Sequence, residues 1–300
     1  EWCMGHNLMV EAGQTNAIVT PFWDTYAGEW FFSFNSIYSP QLGNNRYYSV
    51  YMSPLLIENP HAVARHLLVM HDGNNLFTPT LKGNHRCPDG SCAPFGSWDL
   101  DATLDDQITS GTIYSDIVVL GLFNTDDREN EYTYSYDFSE EAGGKGDLYL
   151  SFISDTVLPN LDTLLGEGVV DAPPEDIVLM GSSLGGLISC YAGLAKNTSA
   201  EGGLQYGGVG CMSSSFWWND EDMYNTIIPS NAYNPSVRVW VDSGSDGDGA
   251  FQTKKVETAL IAEGYSLSDG SIGYYLDKGG IHNEDSWGKR VWRPLQFFFS

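Results

Sequence analysis

The stretch Ile177-Val178-Leu179-Met180-Gly181-Ser182-Ser183-Leu184-Gly185-Gly186 passes from a wholly apolar run through a glycine-flanked serine. Beyond it, Leu184, Leu187, Ile188, Tyr191, Leu194 and Ala195 recur at helical spacing. The first run reads as a buried strand and the second as an amphipathic helix. A serine at such a strand-to-helix turn presents its hydroxyl from a strained backbone, so the residues two before and two after it must be small. Gly181 and Gly185 meet that requirement around Ser183, and Ser182 lacks the symmetry. Ser183 is therefore the expected nucleophile. The same residues would otherwise make only a glycine-rich turn with a capping serine.

A serine hydroxyl is a poor nucleophile at neutral pH and needs a neighbouring base. Of the histidines at 6, 61, 66, 71, 85 and 282, only His282 follows Ser183, in Gly279-Gly280-Ile281-His282-Asn283 just past a strand-like run. The order serine, acid, histidine is that of the α/β-hydrolase fold. The acid belongs in the loop after the strand-like run 237–241, where it can accept a hydrogen bond from the other imidazole nitrogen. Asp242 adjoins that run too closely. Asp248, immediately before the next helical stretch, is the expected acid, and Asp246 stays open as the alternative. The loop's acidic spacing does not match a calcium-binding EF-hand.

Acyl transfer also needs donors aimed at the oxygen that becomes negative in the tetrahedral intermediate. The amide of Leu184, directly after the nucleophile, is one. The other is expected from Met70-His71-Asp72-Gly73-Asn74-Asn75, with Asn74 the best candidate, although Asp72-Gly73 is also an ordinary turn pair. Trp217 and Trp218 follow another strand end and could stack on a sugar or aromatic ring, or equally pack as core. This chemistry requires no metal or organic cofactor.

The elements needed to carry these groups are legible along the chain. Strand-like runs cover 47–52, 66–70, 117–122, 177–180, 208–212, 237–241 and 272–276, with helical patterns between several of them. Their alternation predicts an α/β fold with a mostly parallel sheet and helices on both faces. The aromatic and polar alternation around Trp30-Phe31-Phe32-Ser33-Phe34 predicts antiparallel strands at one edge, with residues up to about 45 extending the same sheet. No internal repeat or low-complexity linker divides residues 1–300, so one domain is expected.

Composition narrows the partners. With 39 acidic against 14 basic residues, the net charge of −25 would repel nucleic acid and anionic lipid surfaces. No run of about 18 apolar residues occurs and the chain opens without a signal-peptide pattern, so a soluble mature protein without a membrane span is expected. Cys87 and Cys92 bracket Pro88-Asp89-Gly90-Ser91, a turn that can bring two thiols to bonding distance in an oxidising compartment. An extracellular or periplasmic location goes with that reading. Cys3 and Cys211 are a second possible pair, Cys190 reads as a small packed residue, and Asn197-Thr198-Ser199 is formally a glycosylation acceptor.

From about residue 45 to 300 the chain resembles the esterase D-like branch of the α/β-hydrolases, which includes feruloyl and acetyl-xylan esterases, enterochelin-type esterases and mycolyltransferases. The resemblance is carried by His71-Asp72-Gly73-Asn74-Asn75-Leu76-Phe77, Arg128-Glu129-Asn130-Glu131-Tyr132, the turn at Ser183, Ser213-Ser214-Ser215-Phe216-Trp217-Trp218, Asp242-Ser243-Gly244, and His282-Asn283-Glu284 with Trp287. It implies Asn74 beside Leu184 in the oxyanion site. It also implies an acid three residues after the glycine ending the strand, a position held here by Gly247 between Asp246 and Asp248. The Arg128 to Glu131 charges read as a structural ion pair. The resulting expectation is a serine esterase acting on a small-molecule or glycan ester. An acyltransferase with the same residues, or a non-catalytic carbohydrate-binding relative, stands as the alternative.

Overall fold

The computed structural model describes residues 27–33, 36–78, 96–196 and 205–300. Eight strands form the main sheet: β1 (Glu29–Phe32), β2 (Tyr48–Met52), β3 (His66–Met70), β4 (Ile117–Leu122), β5 (Ile177–Ser182), β6 (Gly208–Met212), β7 (Arg238–Gly244) and β8 (Ile272–Asp277). Their lateral order is β1-β2-β4-β3-β5-β6-β7-β8. Strand β2 runs antiparallel to both β1 and β4, and the other neighbouring pairs are parallel. The fold is thus α/β, with a mostly parallel sheet and an antiparallel N-terminal edge.

Every residue of β4, β5 and β6 is buried, as strands covered on both faces must be. Alternate side chains feed two cores. On one face Leu67, Val69, Leu120, Leu179, Val209 and Val241 pack with Leu187 and Ile188 of α3 (Leu184–Ala195). On the other, Leu68, Met70, Val119, Val178 and Met180 pack with Leu104 of α1 (Leu100–Thr109) and Leu295 of α6 (Trp292–Phe299). The first face also takes α2 (Gly146–Phe152) and α4 (Ala250–Glu263), through residues such as Tyr149 and Val256. The short α5 (Glu284–Arg290) precedes α6.

The order reverses between β3 and β5, because the chain leaves β3 toward β4 on one side and β5 toward β6 on the other. The crevice beyond the carboxyl ends of strands at such a reversal is where open α/β sheets bind ligands. It lies where the turn at residues 71–75 and the turn at Ser183 emerge.

The N-terminal expectation needs one correction. Strand β1 does extend the sheet, but Ile37–Ser39 and Asn44–Arg46 form a separate two-stranded hairpin. Its second strand is tied to Glu131, whose carboxylate receives Asn44 Nδ2 at 2.9 Å and buried Arg46 Nη2 at 2.7 Å. Strand β7 likewise runs past its expected end to Gly244, so Asp242 lies inside the sheet. Cys211 and Cys190 are buried free thiols on β6 and α3. Cys3, Cys87, Cys92 and Asn197-Thr198-Ser199 lie outside the described residues. Among the described residues no helix is long and apolar enough to cross a membrane.

Candidate active site

Strand β5 delivers the chain to Ser183, which sits at φ 57°, ψ −124°, and α3 begins at the next residue. A non-glycine residue at positive φ costs about 1–3 kcal/mol and persists only where its surroundings hold it. Here β6 and the loop after it do so: Ser183 N–H donates to Met212 O at 3.1 Å, and Ser215 N–H donates to Ser183 O at 3.0 Å. The crowding is visible at the flanking glycines. A Cβ on Gly186 would stand 2.3 Å from Ser214 Oγ, and one on Gly185 3.1 Å from His71 Cβ.

Ser183 Oγ lies 3.0 Å from His282 Nε2, and His282 Nδ1 lies 2.5 Å from Asp248 Oδ1. The histidine comes from the loop between β8 and α5, and the aspartate from the loop between β7 and α4. Asp248 is buried, whereas Asp246 is exposed and turns only its backbone N–H inward, to Gly280 O at 3.0 Å. Burial works against the Asp248 charge. Hydrogen bonds from His282, Ser213 Oγ and the Gly244 N–H outweigh it and hold the carboxyl below the usual carboxylate range. Asp242, buried on β7, instead takes Arg290 Nε at 3.0 Å and Trp240 Nε1 at 2.7 Å.

Across the crevice, Asp72 stands at φ 55° and its carboxylate is gripped by Arg128 through two bonds of 2.8 Å and by Asn124 Nδ2 at 2.6 Å. Burial pushes the Asp72 carboxyl up, and Arg128, Asn124 and His71 together more than reverse that, leaving it below the usual range. Gly73 N–H donates to Leu122 O and Asn75 N–H to Asp72 O, while the Asn74 N–H makes no hydrogen bond among the described residues. Leu184, as the first residue of α3, has an N–H without an intrahelical partner. Asn74, Ser183 and His282 all line one cavity of about 690 Å³, together with Asp72, Arg128 and Trp287.

The family model described as "Putative esterase" matches residues 59–297. The chain belongs to the esterase family. A curated relative of this esterase, "Uncharacterized protein YbbA" of Bacillus subtilis, is 26% identical over 198 residues, which is 61% of the esterase and 74% of the relative. Among solved structures, a ferulic acid esterase superposes with TM-score 0.59 at 14% identity, covering 91% of the esterase and 98% of its own chain. The BES protein of Bacillus cereus gives TM-score 0.58 at 15% identity, with 98% and 100% covered. The enterobactin esterase of Shigella flexneri gives 0.61 at 15%, and the esterase spans 58% of that chain against 90% of itself. At these identities the structures establish the fold, and the family establishes an ester hydrolase.

In the esterase, an acceptor nitrogen beside a hydroxyl, backed by a buried carboxylate, is an arrangement able to take a proton from that hydroxyl. The structure brings together Ser183, His282, Asp248, Asn74 and Leu184. It does not bring the two tryptophans to them. Trp218 is buried and donates its Nε1–H to Ser135 O at 3.0 Å, so it packs as core and is corrected from the ligand-stacking expectation. Trp217 is half-exposed and does not line this cavity.

Other neighbours were not singled out by residue type. Ser215 Oγ lies 3.3 Å from Ser183 Oγ, and Ser213 Oγ donates to Asp248 Oδ2 at 2.5 Å. Both sit in the Ser213-Ser214-Ser215 run that carried the family resemblance, which was the available signal. Arg290 had a weaker one: it follows Trp287 by three residues on α5, in a chain with only 14 basic side chains.

Proposed function

We propose that the esterase hydrolyses its ester through a covalent acyl-enzyme on Ser183. In this reading His282 Nε2 takes the Ser183 proton as Oγ attacks the carbonyl carbon, and returns it to the leaving alcohol. Asp248 holds the imidazole in the Nδ1–H tautomer and balances the imidazolium that forms. The amides of Leu184 and Asn74 receive the oxyanion. Water, deprotonated by the same imidazole, then releases the acid. The observation that carries the reading is the continuous path from Ser183 Oγ to His282 at 3.0 Å and on to Asp248 at 2.5 Å.

The cavity supports a small or carbohydrate-linked ester. Its lining is dominated by Asp72, Asn74, Asn75, Asn124, Arg128 and Glu284, with Trp287 as its aromatic wall and no aliphatic side chain among the described residues. A long acyl chain would find no aliphatic side chain to pack against there among the described residues. Hydrolysis is favoured over transfer to an alcohol because the His282 side chain is 40% exposed, leaving water access to the acyl-enzyme.

The test is pre-steady-state hydrolysis of p-nitrophenyl acetate by the parent and by Ser183→Ala. Loss of the nitrophenolate burst and of turnover in the variant is expected. Full turnover by Ser183→Ala would overturn the assignment.

A further inference from the structure

We propose that Arg290 and Ser213 are positioning residues for Asp248, fixing which carboxylate oxygen meets His282 and which way every proton in the array points. The inference rests on the serine-esterase reading above and adds to it a buried segment that extends away from the cavity.

Arg290 is 2% exposed at the end of α5. Its Nη2 donates to Ser213 Oγ and also reaches Asp248 Oδ2 at 3.4 Å. A guanidinium can only donate, so Ser213 Oγ must accept from it and turn its single proton elsewhere. The available acceptor is Asp248 Oδ2, 2.5 Å away. Gly244 N–H donates to that same oxygen at 2.5 Å. With Oδ2 held by Ser213, Gly244 and Arg290, Oδ1 is left for His282 Nδ1, which must then carry the proton. Nε2 is thereby left as the acceptor facing Ser183.

Several features suit this role. Ser213 stands at φ 40°, a backbone conformation held by its N–H bonding to Asp242 O at 2.9 Å and more weakly to Asp242 Oδ1 at 3.3 Å. The charged groups around Arg290 are three carboxylates, Asp242 at 3.0 Å, Asp248 at 3.4 Å and Asp277 at 3.6 Å, so the buried cation is shared among them and Asp248 keeps its bond to His282. Helix α5 is also capped by Asn283, beside His282, whose side chain accepts Ser286 N–H at 2.9 Å. One short helix thus places the base at one end and the acid's anchor at the other.

The experiment compares Ser213→Ala, Arg290→Met and Arg290→Lys in the full chain, measuring kcat, KM and the pH profile of kcat/KM with p-nitrophenyl acetate. Ser213→Ala is expected to lower kcat by about tenfold with KM changed by less than about twofold, since a hydrogen bond to a charged group is lost where no substrate binds. The acid limb of kcat/KM should move to lower pH as the imidazolium loses its aligned carboxylate. Arg290→Met should lower kcat further, and Arg290→Lys should recover part of it. Should Arg290→Met fail to fold, the Ser213→Ala profile alone decides. A folded Ser213→Ala with parental kcat and parental acid limb would overturn the proposal. Failure of the underlying reading would show separately, as absence of fluorophosphonate labelling of Ser183 in the parent.

Discussion

The His71 ring occupies the space beside Gly181 in which a side chain would begin: a Cβ there would stand 3.0 Å from His71 Cδ2 and 2.9 Å from the Gly185 carbonyl carbon. The two glycines around Ser183 are therefore required by each other and by a histidine just past the neighbouring strand β3, whose N–H donates to Met180 O at 3.0 Å. Gly181→Ala must push either backbone or a buried ring. It is expected to destabilise the fold by about 1–3 kcal/mol. It should also lower kcat by roughly a hundredfold through displacement of Ser183. A thermal melt together with turnover of a nitrophenyl ester checks both, and an unchanged kcat would contradict the packing argument.

Asp248 and Asp246 are separated by one glycine and differ in what they touch. If Asp248 is the acid of a Ser–His–Asp array, Asp248→Asn should lower kcat by about 10³–10⁴-fold, because an amide there favours the wrong imidazole tautomer. Asp246→Asn, at an exposed side chain, should leave kcat within about twofold. Parallel kinetics of the two variants decide between them, and equal effects would reopen the assignment.

His71 gives the protein an acid sensitivity that begins well above the carboxylate range. Burial pushes its pKa down from 6.5 to about 3, aided by Arg128 and Arg46 and opposed by Asp72. Its Nδ1 is bonded to Tyr149 OH at 2.8 Å. Because the unfolded chain binds this proton first, the stabilisation is present above pH 6.5 and is lost as pH falls toward 3. The slope is about 1.4 kcal/mol per pH unit, for a total of about 5 kcal/mol. Asp72, also held below its usual range, adds its loss below the ordinary carboxylate pKa, at the acid end of the His71 window. Urea unfolding at pH 7, 5.5 and 4.5 should therefore steepen by one proton in the parent relative to His71→Gln. Identical pH slopes for the two proteins would show that His71 is not held neutral.

Local order alone made much of this protein readable. An apolar run, a serine between two glycines and a helical stripe specify a strand, a strained turn and a helix because each depends on near neighbours. The parallel strands were legible for the same reason: a strand buried on both faces is apolar throughout. The choice of Asp248 over Asp246 could only be suggested, since both are carboxylates in one glycine-rich loop. Which of the two meets His282 is fixed in space, where Asp248 is held by Gly244 N–H, Ser213 Oγ and Arg290, groups from β7, the loop after β6 and α5. Trp217 and Trp218 show the same limit, for adjacent side chains of one type went to surface and core once the chain turned after Ser215. Residue type and spacing determined which chemistry the chain can carry. Tertiary structure decided which like residues share it, because burial and hydrogen-bond partners are supplied by segments far apart in the chain.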